Sequence, residues 1–299
     1  MGRVERWVIA SSIVVVLGSR AVGSLNPSPL WAQGPPPAPA REEYAALPGV
    51  RLWFKDTGGS GVPVVFLHAG TGSSQVWEHQ IPAFTAAGYR FIAYDRRGWG
   101  RSVVDPAGPQ PGTAADDLER LRDYLGVDRF HIVATAAGGS IAWDFALSYP
   151  QRVRSMVIAN NVGRIEDQEF LDLVSTLRPE QFDELPPEFR EVGPTYRAAN
   201  PAGTRRWKEL ERSSRPEGPR LPTQPLKNRL TFPLLEKITV PVLLIAGGAD
   251  LAAPPPLQRF YTDRVKQAES LVVPDAGHST YWEQPEAFNR AVLEFIGKH

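Results

Sequence analysis

Two polar side chains stand directly behind apolar runs, where their chemistry could be put to use. Asp250 closes the turn Gly247-Gly248-Ala249-Asp250 after the run 241–246. His278 closes Pro274-Asp275-Ala276-Gly277-His278 after the run 269–273 (ESLVV). A buried carboxylate on one imidazole nitrogen fixes the tautomer and stabilises the imidazolium, leaving the other nitrogen free as a general base. Activity through such a base would rise with pH through the ordinary histidine value of ~6.5, before environmental shifts. Each residue also has a plainer reading: Asp250 as the cap of a helix at 256–265, His278 as a loop histidine with both nitrogens satisfied. His79 falls on the first helix, His131 within a strand, and His299 ends the chain; none is assigned proton transfer.

The elements that must position the pair alternate. Strands are expected at 51–57 (RLWFKDT), 62–68 (VPVVFLH), 90–95 (RFIAYD), 129–135 (RFHIVAT), 153–160 (VRSMVIAN), 241–246 and 269–273. Helices are expected at 75–87, 114–125, 137–148, 256–265 and 285–296. Continuous apolar runs fit strands covered on both faces. Alternation of this kind predicts a mostly parallel sheet with helices on both faces and its ligand at the carboxyl ends of the strands.

The segment 162–238 interrupts the alternation. Its 77 residues carry 10 arginines and 3 lysines against 13 acids. A structureless loop of that length is unexpected inside a domain. Phe170, Leu171, Leu173, Val174 and Leu177 have helical spacing, so the segment is read as a helical insert serving as a lid over the strand ends. A decorative insertion is the alternative.

Taken in order, the strand ends read His68-Ala69-Gly70-Thr71-Gly72, Asp95-Arg96-Arg97-Gly98-Trp99-Gly100-Arg101-Ser102, then the turns at Asp250 and His278. With the insert, this resembles the α/β-hydrolase family, in its lidded small-molecule branch, over residues 44–297. The resemblance implies an α/β-hydrolase fold: a mostly parallel central sheet, helices on both faces, and a helical lid. It implies Asp250 as the acid and His278 as the base of a triad, His68 as support beside the oxyanion loop, and backbone N–H groups of Ala137 and Gly70 as the oxyanion hole. Trp99 and Trp207 are placed near the cavity.

The family's nucleophile is missing. Its elbow reads G-x-S-x-G; here the strand 129–135 leads into Ala134-Thr135-Ala136-Ala137-Gly138-Gly139-Ser140, which sets Ala136 where serine belongs. A methyl group cannot attack. Thr135, one residue early, should point elsewhere, and Ser140, one turn later, should point along the helix. Three explanations stay open: a laboratory substitution, a former enzyme that only binds its ligand, or an enzyme that needs no serine. In the last case a His–Asp base and an oxyanion hole could direct water at an ester, a lactone or a C–C bond. They could also support elimination or cofactor-free oxygenation. Direct hydrolysis is the nominal expectation.

Residues 1–32 are expected to be a secretory signal: Arg3 and Arg6 precede a 12-residue apolar run, 7–18, and the cut falls after Ala32. The run is short of the ~20 residues a span needs, so no stable membrane insertion is expected after cleavage; an uncleaved anchor is the alternative. Residues 33–43 form a Pro-rich linker, followed by the core at 44–161 and 239–299. The mature chain would be periplasmic or secreted, with 30 basic and 32 acidic residues. The whole chain of 299 residues has 33 of each and no basic block, which argues against nucleic acid as a partner. It has no cysteine, which excludes disulfides, a thiol nucleophile and thiolate metal sites. No dinucleotide fingerprint, phosphate loop or metal-ligand spacing is present, so no cofactor and no metal is expected, and the partner is a small-molecule substrate.

Overall fold

The computed structural model describes residues 39–108, 112–216 and 222–299. The expected signal segment and residues 33–38 of the linker lie outside the described residues.

The strands are β1 (Arg41–Leu47), β2 (Val50–Asp56), β3 (Pro63–Leu67), β4 (Arg90–Tyr94), β5 (Val103–Val104), β6 (Phe130–Thr135), β7 (Val153–Ala159), β8 (Val242–Gly247) and β9 (Ala268–Val273). They form one sheet in the order β1-β2-β4-β3-β6-β7-β8-β9, with β5 beside β2. From β4 through β9 every pairing is parallel; β1, β2 and β5 pair antiparallel at one end. The parallel strands β4, β6 and β8 are buried throughout, as continuous apolar runs require.

The helices are α1 (Gln80–Ala86), α2 (Ala114–Tyr124), α3 (Ala137–Ser148), α4 (Gln168–Leu177), α5 (Pro187–Glu191), α6 (Pro194–Ala199), α7 (Pro201–Ser213), α8 (Phe232–Leu235), α9 (Pro255–Thr262), α10 (Thr280–Glu283) and α11 (Pro285–Ile296). Helices α3 and α11 coincide with the expected spans. The single helix expected at 75–87 divides into a 3₁₀ turn, Ser74–Trp77, and α1. Strand β1 begins at Arg41, inside the stretch assigned to the linker.

Two apolar clusters sandwich the sheet. Leu118, Ile132, Trp143, Phe145 and Leu244 belong to one, and Phe66, Phe84, Phe91, Trp282 and Phe295 to the other. Phe66 anchors the second by stacking on Phe91 with centroids 4.3 Å apart. Between β7 and β8 the chain forms α4 through α8, and it is tied back to the core. Asp144, fully buried on α3, accepts from the backbone N–H groups of Lys227 and Asn228, each at 2.8 Å. The Gly100 N–H donates to the Ser214 carbonyl at 2.7 Å.

Candidate active site

Strand β6 ends in a strained turn whose apex is Ala136, at φ 46° and ψ −119°. A non-glycine residue with positive φ costs of order 1–3 kcal/mol and persists only where its surroundings over-determine it. Here the Ala136 N–H donates to the Ala159 carbonyl at 2.9 Å, and its own carbonyl accepts from Gly139 N at 2.9 Å and Asn161 Nδ2 at 2.5 Å. Close packing demands the small residues that follow: a Cβ at Gly138 would stand 2.3 Å from the Leu67 carbonyl oxygen.

The loops after β8 and β9 bring Asp250 and His278 together. His278 Nδ1 donates to Asp250 Oδ2 at 2.8 Å. That carboxylate is fully committed: Oδ1 accepts from the N–H groups of Ala252 and Ala253 at 2.7 and 2.9 Å, and Oδ2 also accepts from Asn160 Nδ2 at 2.9 Å. Asp250 is therefore no cap of α9, whose N-cap is Pro254. Burial alone would raise its pKa; the His278 charge and these donors outweigh burial and lower it. For His278 burial pushes the imidazolium down, while Asp250 and Glu191, with a smaller share from Glu283, push it up to about 9. His278 thus titrates well above the ordinary histidine range expected from sequence.

His278 opens onto a cavity of about 320 Å³. Gly70, Trp99, Ala136 and Ala137 share its wall. Ala137 is the first residue of α3, so its N–H has no intrahelical partner and sits at the positive end of the helix. A Cβ built on Gly70 would lie 3.8 Å from the Ala137 Cβ, so the two expected oxyanion donors are neighbours. The peptide leading into Gly70 is held by its carbonyl: Ala69 O accepts from His68 Nδ1 at 2.7 Å and Arg96 Nη2 at 2.9 Å. In a trans peptide this turns the Gly70 N–H the other way. His68 is buried, and burial and the Arg96 charge hold its pKa well below normal. Its neutral Nε2 accepts the Arg96 N–H at 3.1 Å. His68 thus supports the loop without lining the cavity.

Trp207 is a correction. It is buried on the apolar face of α7, donates to Ser279 Oγ at 3.2 Å, and is absent from the cavity wall. Ser140, expected to point along its helix, does line the cavity, whereas Thr135 is fully buried away from it. His131 bonds Ser155 Oγ at 2.8 Å within the sheet.

Three residues escaped the sequence reading. Asn160, at φ 51°, links Asp250 to Thr280, whose hydroxyl it accepts at 2.7 Å. Glu283 accepts the N–H groups of Gly277 and Ser279, which flank His278, and that of Gly193. Glu191, at the end of α5, brings a carboxylate into the cavity beside His278; burial raises its pKa, and His278 and the Thr71 hydroxyl pull it back. Among the described residues no cluster of His, Cys, Asp and Glu could hold a metal ion.

Comparison with known proteins gives consistent results. A sequence model described as the alpha/beta hydrolase fold matches residues 62–285. A Mycobacterium tuberculosis protein carrying the name non-heme bromoperoxidase BpoC is 31% identical over 268 residues, covering 81% of this chain and 96% of that one. A 2-hydroxy-6-oxononadienedioate/2-hydroxy-6-oxononatrienedioate hydrolase of Paraburkholderia phymatum is 28% identical over 279 residues, 83% of this chain and 92% of that one. Among solved structures, a thermophilic esterase from Thermogutta terrifontis superposes with a TM-score of 0.69 at 26% identity, covering 87% of this chain and 99% of its own.

Proposed function

The chain belongs to the α/β-hydrolase family, and from that premise we propose that it hydrolyses a small organic molecule, at an ester, lactone or C–C bond, without a serine nucleophile. The observation that carries this is the His278–Asp250 pair, bonded at 2.8 Å and facing the same cavity as the Ala136 methyl group. The hydrolase-type relatives support the reaction class. An intact pair is of no use to a protein that only binds.

The reaction follows from the geometry. With Nδ1–H committed to Asp250, His278 Nε2 takes a proton from a water molecule as the water oxygen bonds to the substrate carbonyl carbon. The carbonyl oxygen becomes an oxyanion facing the N–H groups of Ala137 and Gly70. When the tetrahedral species collapses, the bond to the leaving group breaks and His278 returns its proton to that group. No covalent enzyme intermediate forms. Segment 162–238 serves as the lid over the cavity, with Val162, Arg178, Glu191 and Leu226 among the residues it contributes to the wall. The signal at 1–32 exports the protein, and the mature chain begins at Gln33, which intact-mass analysis of a periplasmic fraction checks.

The test is a panel of esters, lactones and vinylogous diketones incubated in parallel with the wild-type protein and His278→Ala, products being read by mass spectrometry. Turnover by the wild type and a loss of ~10²–10⁴-fold in the variant is expected. Binding without any product would make the protein a ligand binder, and elimination or oxygenation products would move it to another reaction class.

A further inference from the structure

Four arginines of the described residues are strongly buried: Arg90, Arg96, Arg97 and Arg122, none more than 9% exposed. Three have carboxylate partners. Arg90 pairs with Asp56 at 2.6 Å, Arg97 with Asp117 at 2.7 Å and Arg122 with Glu119 at 2.8 Å. Arg96 has none among the described residues. It is 7% exposed, its guanidinium lies 4.4 Å from the Trp99 ring centroid, and its one hydrogen bond as a side-chain donor goes to the neutral Ala69 carbonyl. Its Nε is buried and bonds nothing. Arg96 lines the cavity.

A second guanidinium shares that wall. Arg178, directly after α4, also has a buried Nε without a partner and no carboxylate within ion-pair distance among the described residues; it rests 4.6 Å from the Phe182 ring centroid. A buried cation without a counter-ion is costly, and proteins retain one where something else supplies the charge. Glu191 does not supply it. The charges that act on that carboxylate are those of His278, Asp250 and Arg190. Burial and the nearby Arg215 bring Arg96 down to about 10, so it is a cation at neutral pH. The same cavity wall includes the apolar side chains of Ile141, Val162 and Leu226.

We infer that the cavity is built for a substrate bearing a carboxylate, held by Arg96 and Arg178, with its short apolar body along Ile141, Val162 and Leu226. A guanidinium offers a carboxylate paired, charge-assisted hydrogen bonds. This inference names the substrate class for the hydrolysis proposed above and rests on that reading for its chemistry, though the binding it describes does not need turnover.

Calorimetry with succinate, glutarate and adipate, each against its neutral dimethyl ester, tests it on the His278→Ala chain, which lacks the proposed base and leaves the esters intact. At least one diacid should bind about tenfold or more tighter than its ester, the scale of hydrogen bonds to charged groups. Arg178→Gln should remove most of that preference while leaving the affinity for the diester unchanged. Arg96→Gln is unsuitable as a neutral control because Arg96 also holds the Ala69 carbonyl. Diesters binding as well as every diacid would overturn the inference whether or not the variant folds, as would an Arg178→Gln protein with undiminished preference. Diacid binding alongside a failure to hydrolyse any of the substrate panel would instead strike the proposed reaction and leave the anion site standing.

Discussion

Glu283 accepts the Gly193 N–H at 2.9 Å. With the same carboxylate it accepts from Gly277 at 2.9 Å and Ser279 at 3.2 Å. One side chain therefore ties the insert to both shoulders of His278. Glu283→Gln keeps the shape but replaces one acceptor oxygen with a donor, so at least one buried N–H loses its partner. Thermal unfolding should show a loss of about 1–3 kcal/mol, accompanied by reduced kcat because the His278 loop is no longer pinned.

The pH profile follows from the groups facing His278. Asp250, Glu191 and Glu283 favour its charged form against burial, and the ring titrates at about 9. Only the neutral ring is a base, so kcat/KM should rise with pH through that value. Glu191→Gln removes one of the negative charges, weakens the hold on the imidazolium, and should move the midpoint down. A midpoint unchanged in Glu191→Gln would separate that carboxylate from the base.

Stability carries the same signature. A raised histidine pKa means that the charged pair's contribution is complete below ~6.5, the unfolded value, and is lost as pH rises through about 9. Asp250 is lowered from 3.8, so its contribution is present above that value and is lost as pH falls below it. The stability gap between wild type and His278→Ala in urea melts should narrow as pH rises through about 9, leaving the part due to the neutral hydrogen bond and packing.

At the elbow, fluorophosphonate probes should leave the protein unlabelled; stoichiometric labelling of Thr135 or Ser140 would show that the turn has been misread. Ala136→Ser should confer esterase activity on small activated esters, because Ala137, Gly70 and His278 already line the cavity around it. Ala136→Gly should retain most native turnover, since the methyl does no chemistry and glycine accepts φ 46° without strain.

The parallel half of this fold was legible because buried strands are written as unbroken apolar runs, and their order exposed Asp250 and His278 at successive strand ends. Strand β1 was not, because at the sheet's end it buries only Ala45 and exposes Glu42, Glu43 and Tyr44, so no such run exists. Trp207 was legible as apolar, but α7 could have turned that face to the cavity or to the core, and the helix packed it into the core. Asn160 and Glu283 were out of reach for another reason. Asn160 meets Asp250, and Glu283 meets Gly193, across 90 residues of sequence, and only the folded chain brings them together.

Asp144 offers a check on how the insert is held. Asp144→Ala abandons the N–H groups of Lys227 and Asn228, and the Asn228 side chain at 2.8 Å, in a buried site. The loss should reach about 3 kcal/mol or more in denaturant unfolding. Below its melting range the variant should retain the His278–Asp250 pair, which belongs to other loops.

In the proposed reaction, water activated by His278 attacks the substrate directly, with no covalent enzyme intermediate. Intact-mass spectrometry of the protein during turnover, with wild type and His278→Ala side by side, tests it most directly. An unmodified wild-type mass throughout is expected, with product from the wild type and a rate lower by ~10²-fold or more in the variant. A covalent adduct on the wild-type chain, or equal turnover by both proteins, would contradict it.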